Sequence, residues 1–163
     1  ERVEELALPH PLADYMRRCG LIIAVEAYAN YKALVDDPAS ALAGPIRTRM
    51  AAAGKIVASD HVALLWERRR HIETFLSAID RLDAVVLPTL PFTAIPVAEV
   101  DEGVTPLGQN TRWVNYLDLA GLSKAGLPMS LQIVVRRFDD PLALRIGRAY
   151  EAARGAFPRP PAA

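Results

Sequence analysis

Three short constellations carry residue types that could do chemistry. Ser59-Asp60-His61 holds the serine, carboxylate and imidazole of a hydrolase triad in consecutive positions. Consecutive residues do not face one another on a helix, and a triad is assembled from separated positions. The run therefore reads as the cap of the helix that follows it. Ser123-Lys124 offers a nucleophile beside a base. In the glycine-flanked turn predicted there, neighbouring side chains diverge into solvent. Glu67–His71 (ERRRH) is the one basic cluster. Arg68 or Arg69 lies beside the apolar stripe of its helix, where a guanidinium can receive a phosphate or carboxylate. The plainer reading is a solvated face with Arg69 paired to Glu73 one turn on. His10, His61 and His71 are scattered and lack cysteine partners, so no zinc site is expected. The acidic pairs Asp36-Asp37, Asp101-Glu102 and Asp139-Asp140 read as caps and loop charges, and none repeats a calcium-loop pattern. There is no glycine-rich phosphate loop and no G-x-S-x-G elbow. No local constellation supports catalysis by itself, and neither a catalytic residue, a metal nor a cofactor is assigned.

These residues must be carried by the elements around them. Leu12 to Val35 has the spacing of a long helix, with Leu12, Tyr15, Met16, Leu21, Ile22, Val25, Ala29 and Leu34 close to a 3.6-residue period. Gly20 marks a kink or a close helix contact in its middle. A short helix is predicted from Pro45 to Ala53, with Gly54 as its C-cap. Ser59 or Asp60 caps a long helix to about Asp80, whose stripe is Val62, Leu65, Ile72, Phe75, Leu76 and Ile79. Ala84–Leu87 (AVVL) is a buried strand ended by Pro88. The proline-rich stretch to Gly108 is an extended loop, of the kind that is functional or wraps a larger body. Asn110 or Thr111 caps a helix from Arg112 to about Ala120, ended by Gly121. Gly126 and Pro128 bound a turn, Met129–Val135 alternates as a strand, and Asp139 caps a final helix with Pro141 in its first turn. The closing PRPPAA is loose. The pattern is α/β, several helices around at least two strands, and two strands alone make a poor sheet.

Composition sets the outer bounds. The 163 residues suffice for one domain with a core. At 52% hydrophobic and 23% charged the chain is globular rather than disordered. Nineteen basic residues balance nineteen acidic ones, so no global charge draws it to nucleic acid or an anionic membrane. The longest apolar runs are too short to span a bilayer. One cysteine, Cys19, excludes an internal disulfide and fits a reducing, cytoplasmic setting. The opening ERVEEL has no initiator methionine, which suggests a piece of something longer.

Several segments in order are similar to one family. Arg81–Pro91, RLDAVVLPTLP, resembles the strand-and-proline segment of amidase signature enzymes, typically "yDvLLtPTtP". The preceding ALLWERRRHIETFLSAID resembles that family's long helix. TRWVNYLDLAGLS, then KAGLPMSLQIVVRRFDDPLALRIGRAYE, resembles its C-terminal signature. The resemblance runs from about Leu8 to Tyr150. It implies the C-terminal part of the amidase signature fold, several helices packed on an incomplete mixed sheet, forming a single partial domain over 1–163 with a loose tail at 155–163. The family's lysine and two catalytic serines lie in an N-terminal glycine- and serine-rich segment that has no counterpart here. The resemblance thus implies carboxamide hydrolysis through a serine acyl-enzyme in the parent enzyme, on a small-molecule amide, and a missing N-terminal half as partner. Thr89 and Asn115 are the nearest equivalents of substrate-cleft residues, each with an alternative structural role. Between Leu122 and Lys124 the family's "LSVPCG" strand and turn are shortened, so a sheet strand is expected to be lost. Two rivals remain: a non-catalytic interaction or assembly module, and a subunit that completes an amidase or amidotransferase site with a separate N-terminal half.

Overall fold

A computed structural model describes residues 2–101, 103–124 and 129–155. In chain order it contains α1 (Leu12–Asp36), α2 (Gly44–Ala53), α3 (Ala58–Ala78), β1 (Val85–Pro88), a 3-10 turn (Val97–Glu99), α4 (Arg112–Tyr116), β2 (Ala120–Lys124), β3 (Leu131–Val135) and α5 (Asp140–Arg154). The fold is mixed α/β. Residues 2–11 run without regular structure, α1 beginning directly after Pro11.

The three strands form one antiparallel sheet in the order β1-β3-β2. Val85 pairs with Val134 and Val86 with Ile133 on one side of β3, while Leu122 pairs with Ile133 and Gly121 with Val134 on the other. Alternation then divides the side chains between two faces. Val134, with Val85 and Leu87 beside it, joins the main core of Tyr15, Cys19, Ile22, Phe75, Ile79, Trp113, Tyr116 and Leu117. Ile133 and Leu122 face α5, where Gly147 sits so close that a Cβ there would meet Leu122 Cδ2 at 2.6 Å. Glycine in mid-helix costs roughly 1 kcal/mol of propensity, and here it lets α5 lie against the sheet.

Several expectations are corrected. Ser123-Lys124 does not lie in a turn, because Ala120–Lys124 is a strand paired along its whole length with β3. The expected loss of a strand is thus made good by AGLSK, which fills that place in the sheet. Helix α4 ends at Tyr116 rather than near Ala120. Asp118 takes a left-handed backbone (φ 58°), a conformation aspartate tolerates better than most residues, and the chain leaves the helix there. The break in α1 falls at Tyr31 (φ −119°, ψ 21°), not at Gly20. Gly20 is instead a close contact, its missing Cβ leaving room for the Arg112 side chain at 3.3 Å. Helix α3 starts after Val57, with no side-chain cap from Ser59 or Asp60. Nor do Thr111 and Asp139, which do sit at the N-caps of α4 and α5, make side-chain cap bonds. On α3, Val62 and Leu65 are 40% and 38% exposed, so only the second half of its stripe is core. The turn at Gly126–Pro128 and the PRPPAA tail lie outside the described residues.

Arginines tie the elements together. Arg136, just past β3, donates to Leu82 O (2.9 Å), Ile79 O (2.5 Å) and Asp80 O (3.1 Å), closing the end of α3. Arg47 does the same between α1 and α2, reaching Val35 O (2.6 Å), Asp37 O (2.7 Å) and Ser40 O (3.0 Å). A guanidinium suits both places because its planar fork can hold several carbonyls at once.

Candidate functional site

Thr89 lies one residue beyond β1, where its N–H donates to Ser130 O at 2.9 Å and extends the ladder. Its hydroxyl and that of Ser123 are 2.8 Å apart, joining β1's end to β2 across β3. Asn110 fastens the same corner from the other side, its side-chain amide donating to Pro88 O at 3.0 Å. Asn110 O in turn accepts from Trp113 Nε1 at 2.9 Å, and Trp113 is fully buried. A chain of bonds thus runs from the head of α4 to the end of β1. Asn110 is the residue sequence reasoning undervalued; the P-T after β1 and the N-T before α4 were the available signal.

Asn115 stands elsewhere. It is exposed on α4, and its carbonyl accepts from Arg68 Nη2 at 3.2 Å. No hydrogen bond joins it to Thr89 among the described residues. Arg68 also donates from Nε to Tyr116 O at 2.7 Å, so the inner arginine of the basic run closes the end of α4 instead of awaiting an anion. Its positive charge there also complements the helix dipole. The expected Arg69–Glu73 pair is not formed. The ion pair in this region is Arg18 with Glu67, which joins α1 to α3.

Beneath Arg68 lies a buried cluster of rings. His71 Nδ1 and the Tyr116 hydroxyl are 3.0 Å apart. His10 and His71 have ring centroids 4.2 Å apart, and Tyr15 packs on both His71 (5.9 Å) and Tyr116 (5.6 Å). Burial holds His71 below the usual imidazole range, with the neighbouring His10 and Arg18 adding to the effect against Glu67. Burial also pushes the Tyr116 phenol up to about 12, and raises Tyr15 against the pull of the His10 backbone. Each shift favours the neutral form. The cluster packs as a core, and nothing in it is charged for nucleophilic work.

The remaining candidates separate. No hydrogen bond links Ser59, Asp60 and His61, which occupy successive positions in the first turn of α3. Cys19 is buried, and burial raises its thiol pKa although Arg112 and Arg68 pull it down. A thiol kept protonated is a poor nucleophile. Among the described residues no three His, Cys, Asp or Glu side chains could hold a metal, and no helix is long and apolar enough to cross a membrane.

The comparisons with known proteins agree on one family. No protein-family model matches the chain. Individual relatives do. A glutamyl-tRNA(Gln) amidotransferase subunit from Brevibacillus brevis is 39% identical over 99 residues, 55% of this chain and 20% of that protein. An uncharacterized protein in the nthA 5' region of Rhodococcus erythropolis is 38% identical over 96 residues, 52% of this chain and 48% of that protein. Among solved structures, an amidase superposes with a TM-score of 0.78 at 21% identity, covering 93% of this chain and 38% of the amidase. A bacterial aryl acylamidase of the amidase signature family gives a TM-score of 0.69 at 20% identity, covering 92% and 36%. The chain belongs to the amidase signature family. It spans about half of the Rhodococcus protein and a fifth of the amidotransferase subunit.

Proposed function

We propose that this chain is the C-terminal portion of an amidase signature hydrolase, a single partial domain that does not catalyse by itself. The whole protein would hydrolyse a small carboxamide, or transfer its ammonia, through a serine acyl-enzyme whose nucleophile lies outside this sequence. One observation carries the reading. Among the described side chains, no serine hydroxyl is hydrogen-bonded to a histidine, lysine or carboxylate that could activate it, and Ser123 is paired with Thr89. Within the complete enzyme, Thr89 and Asn115 would stand on the walls of the cleft, Thr89 at the sheet's end and Asn115 on the exposed side of α4. A cytoplasmic setting accords with the single buried thiol.

A fluorophosphonate probe followed by intact-mass measurement tests this. The chain alone should stay unmodified while a complete amidase run beside it is labelled. One-to-one labelling of this chain would overturn the proposal.

A second reading, a subunit that completes its site with a separately encoded N-terminal half, has one observation in its favour. In the Rhodococcus relative the matched region already makes up 48% of the protein, against 20% in the Brevibacillus one. Recovery of amide hydrolysis when the two halves are co-expressed, and not with either alone, would distinguish it.

A further inference from the structure

β1 is an edge strand, and the ladder shows which of its backbone groups are open. Thr89 N–H points inward to Ser130 O. In an antiparallel pair the inward-facing groups alternate. Leu87 and Val85 therefore also face β3, and the N–H and C=O of Val86 face away from the sheet. Pro88 shares that outward parity, so its missing N–H costs the existing ladder nothing. It also ends any pairing on this side.

This edge lies on the floor of a groove of about 1330 Å3. One wall is the stripe Leu142, Ile146 and Tyr150 of α5, which overhangs the space beside β1. Ala143 and Gly147, the buried positions of the same helix, occupy its sheet-facing side. The other wall is the irregular N-terminal segment, with Leu6 and Leu8 turned inward. Val86 on the floor is 49% exposed. Unpaired backbone groups beneath two apolar walls match what an added β-strand requires: main-chain bonds along one side and apolar pockets for alternate side chains.

We propose that this groove receives an extended strand from the polypeptide that completes the amidase fold, paired with Ala84–Leu87. The proposal rests on the reading of the chain as a C-terminal portion. It commits to that occupant for two reasons. The solved amidase and the aryl acylamidase are covered over only 38% and 36% of their length, while 93% and 92% of this chain is matched, so most of their fold lies outside the matched region. A second copy fits poorly, because two edges that are both recessed between walls cannot approach to the roughly 4.8 Å that strand pairing needs.

The test is co-expression of this chain with the part of the Brevibacillus brevis amidotransferase protein that precedes its match to this chain. Association is measured by light scattering, and exchange of the Val86 amide by mass spectrometry or NMR. The expected result is a one-to-one complex in which Val86 exchanges at least 100-fold more slowly than in the chain alone. Val86→Pro, which removes only an outward N–H, and Val86→Lys, which puts a charge into the groove, should each weaken the complex by at least 100-fold. Absence of a complex overturns the proposal, as does a complex in which Val86 exchanges as fast as in the free chain. Protection of Val86 that rises with the concentration of this chain alone assigns the groove to a second copy and also overturns it. Failure of the underlying reading gives a different signal, serine-probe labelling of the chain on its own.

Discussion

Removing one oxygen from the buried ring cluster should be felt both in stability and in its dependence on pH. Tyr116 is 1% exposed and its hydroxyl sits 3.0 Å from Nδ1 of His71, itself 8% exposed. Tyr116→Phe keeps the ring contacts with Tyr15 and His71 but leaves that nitrogen without its partner. A buried polar group so orphaned costs about 1–3 kcal/mol. Taking about 2 kcal/mol, the melting temperature of a chain this size falls by roughly 4–8 °C. A second effect appears at high pH. The unfolded phenol ionises near 10.0, whereas in the fold it keeps its proton to about 12. Its contribution is therefore complete below pH 10 and is lost as pH rises toward 12, to a total of about 3 kcal/mol. Thermal unfolding followed by circular dichroism at pH 7, 10 and 12 reads both. The variant should start lower at pH 7 and lose less on going to pH 12, Tyr15 retaining part of the alkaline loss because burial raises it as well. A variant within 1 °C of the parent at pH 7, or with an identical alkaline loss, would refute the reasoning.

On the acid side, His71 is held below its ordinary value, so its contribution is complete above about pH 6.5. It is lost as pH falls through the lower folded value, since the unfolded imidazole takes up a proton first. Melting temperature should therefore drop between pH 7 and 5, and His71→Gln should flatten that slope; an unchanged slope in the variant would contradict the assignment. Arg136→Ala strips three carbonyls at the end of α3 of a charged donor. It should cost about 2–3 kcal/mol by denaturant unfolding, and Arg136→Lys should recover less than half of that, because an ammonium cannot reproduce the fork. Full recovery by lysine would show that charge alone matters there.

Much of this architecture was legible in the sequence. The periods of α1 and the second half of α3, the run AVVL, the alternation of β3 and the Asp-Asp-Pro start of α5 each specify an element through local pattern. What failed did so for identifiable reasons. AGLSK has too few β-formers and a glycine in the position of a helix stop, so only pairing with β3 makes it a strand. The early end of α4 depends on the left-handed Asp118, which has no apolar period to announce it. Ser59 and Asp60 are good caps by type, but the helix begins one residue before them, after Val57. Val62 and Leu65 keep the period of their helix without a body to cover them in this chain. Of the candidate cleft residues, Thr89 sits at a built corner of the sheet and Asn115 on an open face, and their spacing in sequence could not have separated the two. Arg68 illustrates the same limit: its neighbours suggested an anion site, whereas its partners are two carbonyls 47 and 48 residues away.

The central claim is that this chain works as one part of a larger amidase-fold body. The most direct measurement is the native mass of whatever carries this sequence in its source cells, by size exclusion under non-denaturing conditions with detection by an antibody against the chain. The account predicts a species several-fold heavier than 17.8 kDa, whether as one long polypeptide or as a complex. A stable species at 17.8 kDa, folded and free of any partner, would contradict it.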